Sequence, residues 1–426
     1  MNIDEYFDQF KTLDEFSLTS NKEYFESLWQ KYQNPENKDI QIHQPEAGIE
    51  SNIIPAALLS EKELPITHYQ NLSSAADKLQ NYQLVLCKMH AGIGSSVKRR
   101  DYLKKITGRE QLGSKGTDLF ISLDGENKSL AQLQYQQAKI LADSNTFNEV
   151  YIQNLINEET INEISKLDNL GVKERPQILQ LKVPTLLDGE LTSERVAPAG
   201  HAYLGFALLS KIFKNELTQD LYVIGNGEDL NSTADPKILS WVVENNIPIT
   251  MITTTKLEKD KKGGQISLVR HDKKDYVTII EKAQAESAHQ LEYFEKLGLR
   301  PQDNPSLFNT NIVVINAEAM KAKLSKLSLN FSDFKKVITP DLIQNVKKQQ
   351  GQDFVQLEGA IGSTLLNLDQ FYRLEIGEEL VHFLNLDPIA REQFFIPIKK
   401  MEDFEELKQN YSYNTDTGRF DKKDEA

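Results

Sequence analysis

Short apolar runs recur along the central part of the chain, and polar residues bound each of them. They lie at residues 83–89, 118–123, 150–153, 221–224, 247–253, 266–269, 276–280 and 312–315. Helix-length segments separate several of these runs, at residues 129–142 and 236–244. Buried strands that alternate with helices predict an α/β fold with a mixed, mostly parallel sheet and helices on both faces. Ligands bind such sheets at the carboxyl ends of the strands, so the loops after the strands are the candidate sites.

The two ends of the chain have a different, helical pattern. Phe7, Phe10, Leu13 and Phe16 recur every three residues, which predicts amphipathic helices packed against the rest of the protein. Helical periodicity returns near the C-terminus, and the last residues are polar and charged. The pattern divides the chain into a helical N-terminal arm (1–80), an α/β domain (81–335), a small helical C-terminal segment (336–412) and a mobile tail (413–426).

The charge balance limits the classes of partner. The chain of 426 residues has 49 basic and 63 acidic side chains, so its formal net charge is −14. Such a surface repels nucleic acid and anionic lipid, but it is compatible with a small anion held in a local basic pocket. No apolar run reaches the roughly 18 residues that a membrane-spanning helix needs, and the single Cys87 cannot form an internal disulfide. We therefore expect a cytoplasmic protein that binds neither nucleic acid nor membrane.

A glycine-rich loop, His-Ala-Gly-Ile-Gly-Ser-Ser-Val, follows the first apolar run at residues 90–97. Gly92 and Gly94 would let backbone N–H groups approach an anion closely, since neither carries a side chain. The same spacing is also typical of an ordinary tight turn. Basic residues within 98–105 and a second small loop at 113–116 follow at once, which favours phosphate as the ligand. A solvated basic loop is the alternative interpretation of residues 98–105.

Polar loops also accompany later runs. The segment 225–231 carries two carboxylates directly after a strand, where they could hold Mg²⁺ or cap a helix. Asn309 and Asn311 lie two residues apart on an extended segment, so their amides share a face. These amides could bind sugar hydroxyls or satisfy their own loop. Residues 262–264, Lys-Gly-Gly, are typical of a hairpin turn.

Other common catalytic chemistries find no support in the sequence. The seven histidines have no metal-ligand spacing, which argues against zinc catalysis. The chain has no Gly-x-Ser-x-Gly motif of a serine hydrolase, and Cys87 lies within an apolar run that predicts a buried strand. The candidate chemistry therefore lies in the glycine-rich, acidic and asparagine-bearing loops.

The order of these loops resembles that of the eukaryotic-type UTP–glucose-1-phosphate uridylyltransferases, also called UDP-glucose pyrophosphorylases. The resemblance runs from about residue 84 to residue 403. Residues 90–95 take the place of the family's Asn-Gly-Gly-Leu-Gly-Thr loop, and residues 113–116 take the place of its Gly-Pro-Lys-Ser loop. Residues 180–184 match its Gln-x-x-x-Pro motif.

The remaining family motifs follow in the same order. Residues 198–203 resemble the family's Pro-Pro-Gly-His-Gly-Asp loop, and residues 225–231 resemble its Ser-Asn-x-Asp-Asn-Leu-Gly loop. The Lys-Gly-Gly turn at 262–264 and the Phe-Asn-Thr-Asn motif at 308–311 are intact. Residues 395–399, Phe-Ile-Pro-Ile-Lys, follow the family's Phe-Leu-Pro-Val-Lys closely.

The resemblance implies a Rossmann-like, GT-A-like nucleotidyltransferase with Mg²⁺ as cofactor. Its reaction would form UDP-glucose, or a related UDP-sugar, and pyrophosphate from UTP and a sugar 1-phosphate. The implied catalytic residues are Lys115 and Lys399. The implied nucleotide-binding residues are Ala91, Gly92, Gly94, Ser95, Gln180, Gly200 and Asn226. The implied sugar-phosphate-binding residues are His201, Gly264, Glu281, Asn309 and Asn311, and the implied metal ligand is Glu228.

Several loop positions depart from the family pattern. His90 and Ala91 replace Asn and Gly, Glu228 replaces the metal-binding aspartate, and residues 202–203 replace Gly-Asp. These changes leave a second hypothesis open, a nucleotide-sugar-binding or regulatory homologue without turnover. A glycosyltransferase is less favoured, because no clear Asp-x-Asp motif follows a strand. The sequence stops soon after Lys399, where the family continues into a β-helix, so we expect a monomer or an association through another surface.

Overall fold

Strands and helices alternate through most of the protein, which is represented by a computed structural model. The structure describes residues 1–34, 52–56, 64–73, 78–92, 94, 97–217, 219–255, 257, 260, 264–271, 274–281, 284–285, 289–292, 307–349 and 351–423. The strands within these residues are β1 (Ile53–Pro55), β2 (Ile66–His68), β3 (Gln83–Met89), β4 (Phe120–Leu123), β5 (Glu126–Ser129), β6 (Glu149–Ile152), β7 (Leu155–Ile156), β8 (Lys173–Glu174), β9 (Ile178–Leu179), β10 (Lys182–Leu187), β11 (Glu190–Pro198), β12 (Asp220–Asn226), β13 (Ile249–Thr255), β14 (Gln265–His271), β15 (Lys274–Ile280), β16 (Leu307–Asn316), β17 (Ile343–Gln349), β18 (Gln352–Glu358), β19 (Val381–Leu386), β20 (Tyr411–Asn414) and β21 (Arg419–Lys422). The helices are α1 (Ile3–Asp8), α2 (Glu15–Gln33), α3 (Arg100–Thr107), α4 (Lys115–Asp118), α5 (Leu130–Asp143), α6 (Glu158–Ile164), α7 (Ala202–Phe213), α8 (Pro236–Glu244), α9 (Ala317–Leu324), α10 (Phe331–Val337), α11 (Ile361–Ile376), α12 (Pro388–Phe394) and α13 (Met401–Asn410).

The largest sheet runs in the order β2-β19-β13-β16-β12-β3-β6-β8. Strand β3 lies inside this sheet and pairs in parallel with both β12 and β6. Strand β16 is the exception on this path, because it pairs antiparallel with β12 and β13. The prediction of a mixed, mostly parallel sheet is therefore confirmed.

Side chains of β3 alternate between two hydrophobic cores, one on each face of the sheet. Val85 and Cys87 pack in the core that contains apolar residues of α2, α7 and α11. Leu84 and Leu86 pack in the core that contains apolar residues of α5 and α8. The alternation follows from the two-residue period of a strand, and it confirms the prediction of helices on both faces. None of the helices in the described part of the chain combines the length and apolar character needed to cross a bilayer.

A second sheet, in the order β11-β10-β18-β17, stands beside the main one. Strands β10 and β11 pair antiparallel, with Pro184 opposite Val196 and Thr185 opposite Thr192. Residues 193–195 therefore form a bulge that has no counterpart on β10. Bulges bend a strand and redirect its side chains, and this one lies where the second sheet forms a wall of the cleft described below.

Within their described residues, the two terminal segments contain strands that the sequence pattern does not predict. In the described part of the predicted N-terminal arm, α1 and α2 are followed by two short 3₁₀ helices at Tyr69–Asn71 and Leu79–Asn81, and β1 and β2 join the main sheet. In the C-terminal segment, β17 and β18 belong to the second sheet, and β19 enters the main sheet between β13 and β2. Except for the β17–β18 hairpin, these strands pair with residues far away along the chain, so a local pattern gives little indication of them.

Residues 411–422 form a hairpin of β20 and β21, where the sequence pattern predicts a mobile tail from residue 413. The ring of Phe420 is 3% exposed and packs in a small apolar cluster. Asn231 secures the hairpin, since its Nδ2 donates to Phe420 O and its Oδ1 accepts from Phe420 N–H, both at 2.9 Å. The expectation of a mobile tail is thus corrected over 413–422, because one buried ring and its backbone bonds hold this polar segment to the loop after β12.

Candidate functional site

A cleft of about 940 Å³ lies between the loops that follow β3 and β12 and a wall formed by β11, β17 and β18. Its lining includes many of the predicted site residues, namely Ala91, Gly92, Gly94, Lys115, Gln180, Gly200, His201, Asn226 and Glu228. The parallel pairing of β3 with β12 explains why the loops after these two strands lie together, because it places the carboxyl ends of both strands at one edge of the sheet. Ser95, Lys262 and Gly263 lie outside the described residues.

Lys115 begins the short helix α4, directly after the N-cap residue Ser114. Its Nζ atom donates to Glu228 Oε1 and to Ile398 O, each at 2.8 Å. Gly94 has a φ of +62°, and a Cβ at this position would lie 2.8 Å from Lys115 Cγ. A side chain at position 94 would displace the lysine, so the glycine-rich loop and the lysine loop depend on each other sterically.

Glu228 belongs to the loop that follows β12, and its side chain is 19% exposed. Burial raises the pKa of Glu228, but the charges of Lys115 and Lys399 outweigh burial and hold the pKa below its usual range. The carboxylate is therefore ionised at neutral pH. An anion that enters the cleft would compete with Glu228 for the Lys115 ammonium.

The C-terminal segment brings Lys399 to the same region. Asp229 Oδ1 accepts a hydrogen bond from Ile396 N–H at 3.0 Å, and residue 229 also forms a β-bridge to this segment. Lys399 is exposed, and its ammonium is close enough to favour the ionised form of Glu228. A chain segment distant in sequence thus contributes a second cation beside the Lys115–Glu228 pair.

Gln180 and Gly200 are joined by a hydrogen bond in the lining of the cleft. Gln180 Nε2 donates to Gly200 O at 2.6 Å, and Gln180 is 3% exposed. Gly200 has a φ of +85°, and a Cβ there would lie 2.3 Å from Gly359 O. Position 200 therefore requires glycine, both for its backbone angle and for the close approach of a second chain segment.

His201 precedes α7 and lines the cleft. Its Nδ1 atom accepts a hydrogen bond from Ile361 N–H at 3.1 Å, so the proton of the neutral ring lies on Nε2. Burial lowers the pKa of His201 to about 4, which keeps the ring uncharged at neutral pH. A neutral ring of this tautomer is a hydrogen-bond donor suited to a phosphate or hydroxyl oxygen.

The four remaining predicted residues form a neighbouring cluster. Asn309 N–H donates to Gly264 O at 3.0 Å, and Asn309 Nδ2 donates to Asn311 Oδ1 at 2.8 Å. A Cβ at Gly264 would lie 2.6 Å from Glu281 Oε1, so the carboxylate lies directly against that glycine. The cluster adjoins the start of α11, because a Cβ at Gly362 would lie 3.4 Å from Asn309 Nδ2. The first residue of α11 also contacts His201, which connects the cluster to the cleft.

His90 is a positioning residue that the sequence reasoning missed. The side chain is fully buried, with Nδ1 3.2 Å from Ser114 Oγ and Nε2 2.9 Å from Gln134 Oε1. Gln134 Nε2 in turn donates to Gly227 O at 3.2 Å. This network joins the loop of Lys115 to the loop of Glu228. The signal in the sequence was a polar residue at the end of a buried strand, where the resembling family has asparagine.

Arg99 is structural, whereas the sequence analysis placed it in a basic cluster that could bind phosphate. Its guanidinium is fully buried and donates to Asp118 Oδ2 (2.8 Å), Gly94 O (2.8 Å) and Gly113 O (2.6 Å). Arg99 thus connects the glycine-rich loop to the loop that presents Lys115. Lys98 and Arg100 on either side are exposed, so the cluster divides into solvated cations and one buried connector.

The buried His90 predicts a pH dependence of stability. Burial lowers its pKa from 6.5 to about 4, so between these values the unfolded chain binds a proton that folded His90 does not. Above pH 6.5 this residue does not reduce the free energy of unfolding. As the pH falls towards 4, its lowered pKa reduces the free energy of unfolding by roughly 3 kcal/mol. His90→Asn is expected to flatten this acid-side slope in denaturant titrations, whereas His68→Asn, at an exposed histidine, should not. An unchanged slope in His90→Asn would contradict the assignment.

Comparison with known proteins identifies the family. A family model described as UTP–glucose-1-phosphate uridylyltransferase matches residues 173–425, more than half of the chain. This protein belongs to that family. The predictions of the family, of the fold and of a nucleotidyltransferase enzyme class are therefore confirmed.

Individual relatives have low sequence identity to this chain, but their alignments cover most of it. The UTP–glucose-1-phosphate uridylyltransferase of Encephalitozoon cuniculi is 26% identical over 383 residues, which are 85% of this chain and 70% of the relative. The Saccharomyces cerevisiae protein of the same name is 27% identical over 316 residues, or 71% of this chain and 58% of the relative. These two alignments extend over most of this chain but leave part of each relative unmatched.

Solved structures agree with this fold. A UDP-glucose phosphorylase from Trypanosoma brucei superposes with a TM-score of 0.65 at 19% identity, over 97% of this chain and 79% of that one. A variant of Leishmania major UDP-glucose pyrophosphorylase in complex with UDP-glucose gives a TM-score of 0.66 at 19% identity, over 95% and 79% of the two chains. At this level of identity the likeness concerns the fold.

Proposed function

We propose that the protein is a uridylyltransferase that forms UDP-glucose, or a related UDP-sugar, and pyrophosphate from UTP and a sugar 1-phosphate. The observation that carries the proposal is that one cleft contains both the Lys115–Glu228 pair and the Gln180–Gly200 pair. The first pair offers an ammonium and a carboxylate for a metal-bound triphosphate, and the second offers an amide and a backbone for a base. Membership of the family supports the same activity.

The proposed reaction is an in-line displacement at the α-phosphorus of UTP. A phosphate oxygen of the sugar 1-phosphate forms the new P–O bond, while the bond to the β-phosphate breaks and pyrophosphate leaves. The protein has to hold two polyanions together and to neutralise their charge in the transition state. Lys115 would exchange Glu228 for a phosphate oxygen, and Lys399 would contact the phosphates from the C-terminal segment.

The nucleotide would lie between the glycine-rich loop and the Gln180–Gly200 pair. Gln180 Nε2 is bonded to Gly200 O, so the amide oxygen is the atom that would accept the N3–H of uracil. A Cβ at Gly92 would meet no atom of the described residues within 4 Å, and this open space is where a phosphate could approach the backbone. Asn226 and Ala91, which also line the cleft, would contact the nucleotide beside these residues.

Glu228 and Asn226 fit a magnesium ion that the nucleotide phosphates would share. Glu228 is ionised and lines the cleft, and Mg²⁺ prefers one or two carboxylates completed by phosphate oxygens and water. When bound, the ion would neutralise negative charge on the triphosphate and on the departing pyrophosphate. Glutamate is one methylene longer than the aspartate of the resembling motif, so it would hold the ion at a shifted position.

The sugar 1-phosphate would lie towards Asn309, Asn311, Glu281 and Gly264. Their amide, carboxylate and backbone groups are of the types that bind sugar hydroxyls, and Asn309 already bonds to Asn311 and to Gly264. His201 lies between this cluster and the nucleotide residues, so its Nε2–H could meet the phosphate of the sugar. Since hexoses differ only in hydroxyl orientation, these residue types favour a hexose without selecting glucose from galactose.

A panel of nucleoside triphosphates against sugar 1-phosphates, with Mg²⁺, tests the proposal through pyrophosphate release. UTP with glucose 1-phosphate is expected to be the best pair. Calorimetry with UTP and UDP-glucose, run beside this assay, distinguishes an enzyme from a nucleotide-sugar-binding homologue. Binding of UDP-glucose without pyrophosphate release from any pair would reject the enzymatic proposal in favour of the second hypothesis.

A further inference from the structure

The N-terminal helix α2 packs behind the residues that would read the base. Asn21, in the interior of α2, is 2% exposed. Its Oδ1 accepts a hydrogen bond from Leu181 N–H at 2.9 Å, and its Nδ2 donates to Leu179 O at 2.8 Å. These two backbone groups belong to the residues immediately before and after Gln180. One buried amide therefore holds the chain on both sides of the proposed base-reading side chain.

The opposite side of the same segment is held by the main sheet. Gln180 N–H donates to Ile156 O, at the end of β7, at 2.8 Å. Gln180 is thus fixed by its own backbone bond to the sheet and by the bonds of Asn21 to its two neighbours. The side-chain bond from Gln180 to Gly200 then starts from a backbone with little freedom to move.

Helix α2 also contacts the second base-reading segment. Tyr24 is one turn after Asn21, is 1% exposed, and donates its hydroxyl hydrogen to Ala199 O at 3.0 Å. Ala199 directly precedes Gly200. A Cβ at Gly359, whose backbone contacts this turn, would lie 2.7 Å from the Tyr24 hydroxyl, so helix and turn are closely packed. The same helix therefore positions both Gln180 and Gly200.

We propose that Asn21 is a positioning residue that determines base selection, with Tyr24 in a supporting role. The inference rests on the proposed function and goes beyond it, because it assigns part of the nucleotide specificity to a helix behind the cleft. A hydrogen-bonding site discriminates between bases only while its donor and acceptor stay in place. A displacement of Gln180 by even about 1 Å would weaken the contact to the N3–H of uracil and reduce the penalty for other bases.

A purely structural role for Asn21 makes a different prediction. Asn21 Nδ2 also contacts Ser17 O on its own helix and the Tyr203 hydroxyl, so its removal will affect stability in either case. If Asn21 only stabilised the fold, its loss would lower the amount of folded protein without changing the preference of that protein among nucleotides. Selectivity is therefore the informative readout.

The test is steady-state kinetics of Asn21→Leu with UTP and CTP as alternative substrates, at a temperature where the variant is folded. The ratio of kcat/KM for UTP over CTP is expected to fall about tenfold, through a higher KM for UTP, with the KM for glucose 1-phosphate unchanged. The matched control is Leu28→Ala, which removes a buried apolar side chain of the same helix about two turns after Asn21 and should keep the wild-type ratio. An unchanged ratio in folded Asn21→Leu would overturn the proposal.

A second variant and a measurement of nucleotide binding test the proposal where the first experiment cannot be performed. If Asn21→Leu does not fold, Tyr24→Phe, which removes only the bond to Ala199 O, is expected to lower the ratio about threefold. An unchanged ratio in Tyr24→Phe would then overturn the proposal. If the wild-type protein makes no UDP-sugar, the proposed function fails separately, and dissociation constants for UDP and CDP replace the kinetic ratio. A wild-type preference for UDP that persists in folded Asn21→Leu would overturn the inference on that arm.

Discussion

Lys115→Met is expected to lower kcat/KM for UTP by about 10³-fold, which corresponds to about 4 kcal/mol of transition-state stabilisation. Methionine keeps most of the length and apolar stem of lysine but removes the ammonium, which now bonds Glu228 and Ile398 O. The charge is lost where the triphosphate would lie, in a partly enclosed cleft where neutralisation by solvent is weak. Phosphoryl transfer depends chiefly on positioning and charge neutralisation, so no other group should replace it fully.

The measurement for this prediction is pyrophosphate release under conditions where both proteins are folded. Lys104→Met is the matched control, because Lys104 is an exposed lysine of the basic segment 98–105 and pairs with Glu110 at 2.6 Å. It should retain wild-type kcat/KM, since its charge lies outside the cleft lining. Activity of Lys115→Met within a few-fold of wild type would remove Lys115 from the proposed catalytic role.

Glu228→Gln is expected to raise the concentration of Mg²⁺ needed for half-maximal activity by at least tenfold and to lower kcat/KM by about 10²-fold. Glutamine keeps the size of the side chain but loses the charge that attracts the cation. It also leaves the Lys115 ammonium without its carboxylate partner. The effect should therefore show both in metal dependence and in nucleotide binding.

Two further variants sharpen this second prediction. Glu228→Asp keeps a carboxylate and introduces the aspartate of the resembling family motif. This variant should therefore retain a clear Mg²⁺-dependent activity. Glu194→Gln removes an exposed carboxylate from the outer wall of the same cleft and should leave the metal requirement unchanged. Equal metal requirements in Glu228→Gln and wild type would show that the metal is bound elsewhere.

Much of the central sheet could be predicted from the sequence because its strands are continuous apolar runs. β3, for example, is buried at every position but its first, and its apolar run has the length typical of a buried strand. The strand β19 was missed, although it is also apolar, because it follows α11 closely in a region of helical periodicity. The second sheet was missed because β17 and β18 are polar strands, and the strand that β18 joins, β10, lies over 150 residues earlier.

The site shows the same division between local and long-range information. Loops such as those of Gly94 and Glu228 carry local motifs, and the parallel pairing of β3 and β12 brings them together. The roles of His90, Arg99 and Asn21 depend instead on burial and on partners distant in sequence, which a single sequence does not show. For Arg99 the local interpretation was wrong, because its guanidinium bonds the Asp118 carboxylate and three backbone carbonyls instead of facing solvent.

The most direct test of the account is to incubate the wild-type protein with UTP, glucose 1-phosphate and Mg²⁺ and to follow the products by phosphorus NMR. The account predicts equal amounts of UDP-glucose and pyrophosphate, and no product without either substrate. The same sample with Lys115→Met should show almost none in the same time. Absence of UDP-glucose from the folded wild-type protein, or its formation at an equal rate by Lys115→Met, would contradict the central claim.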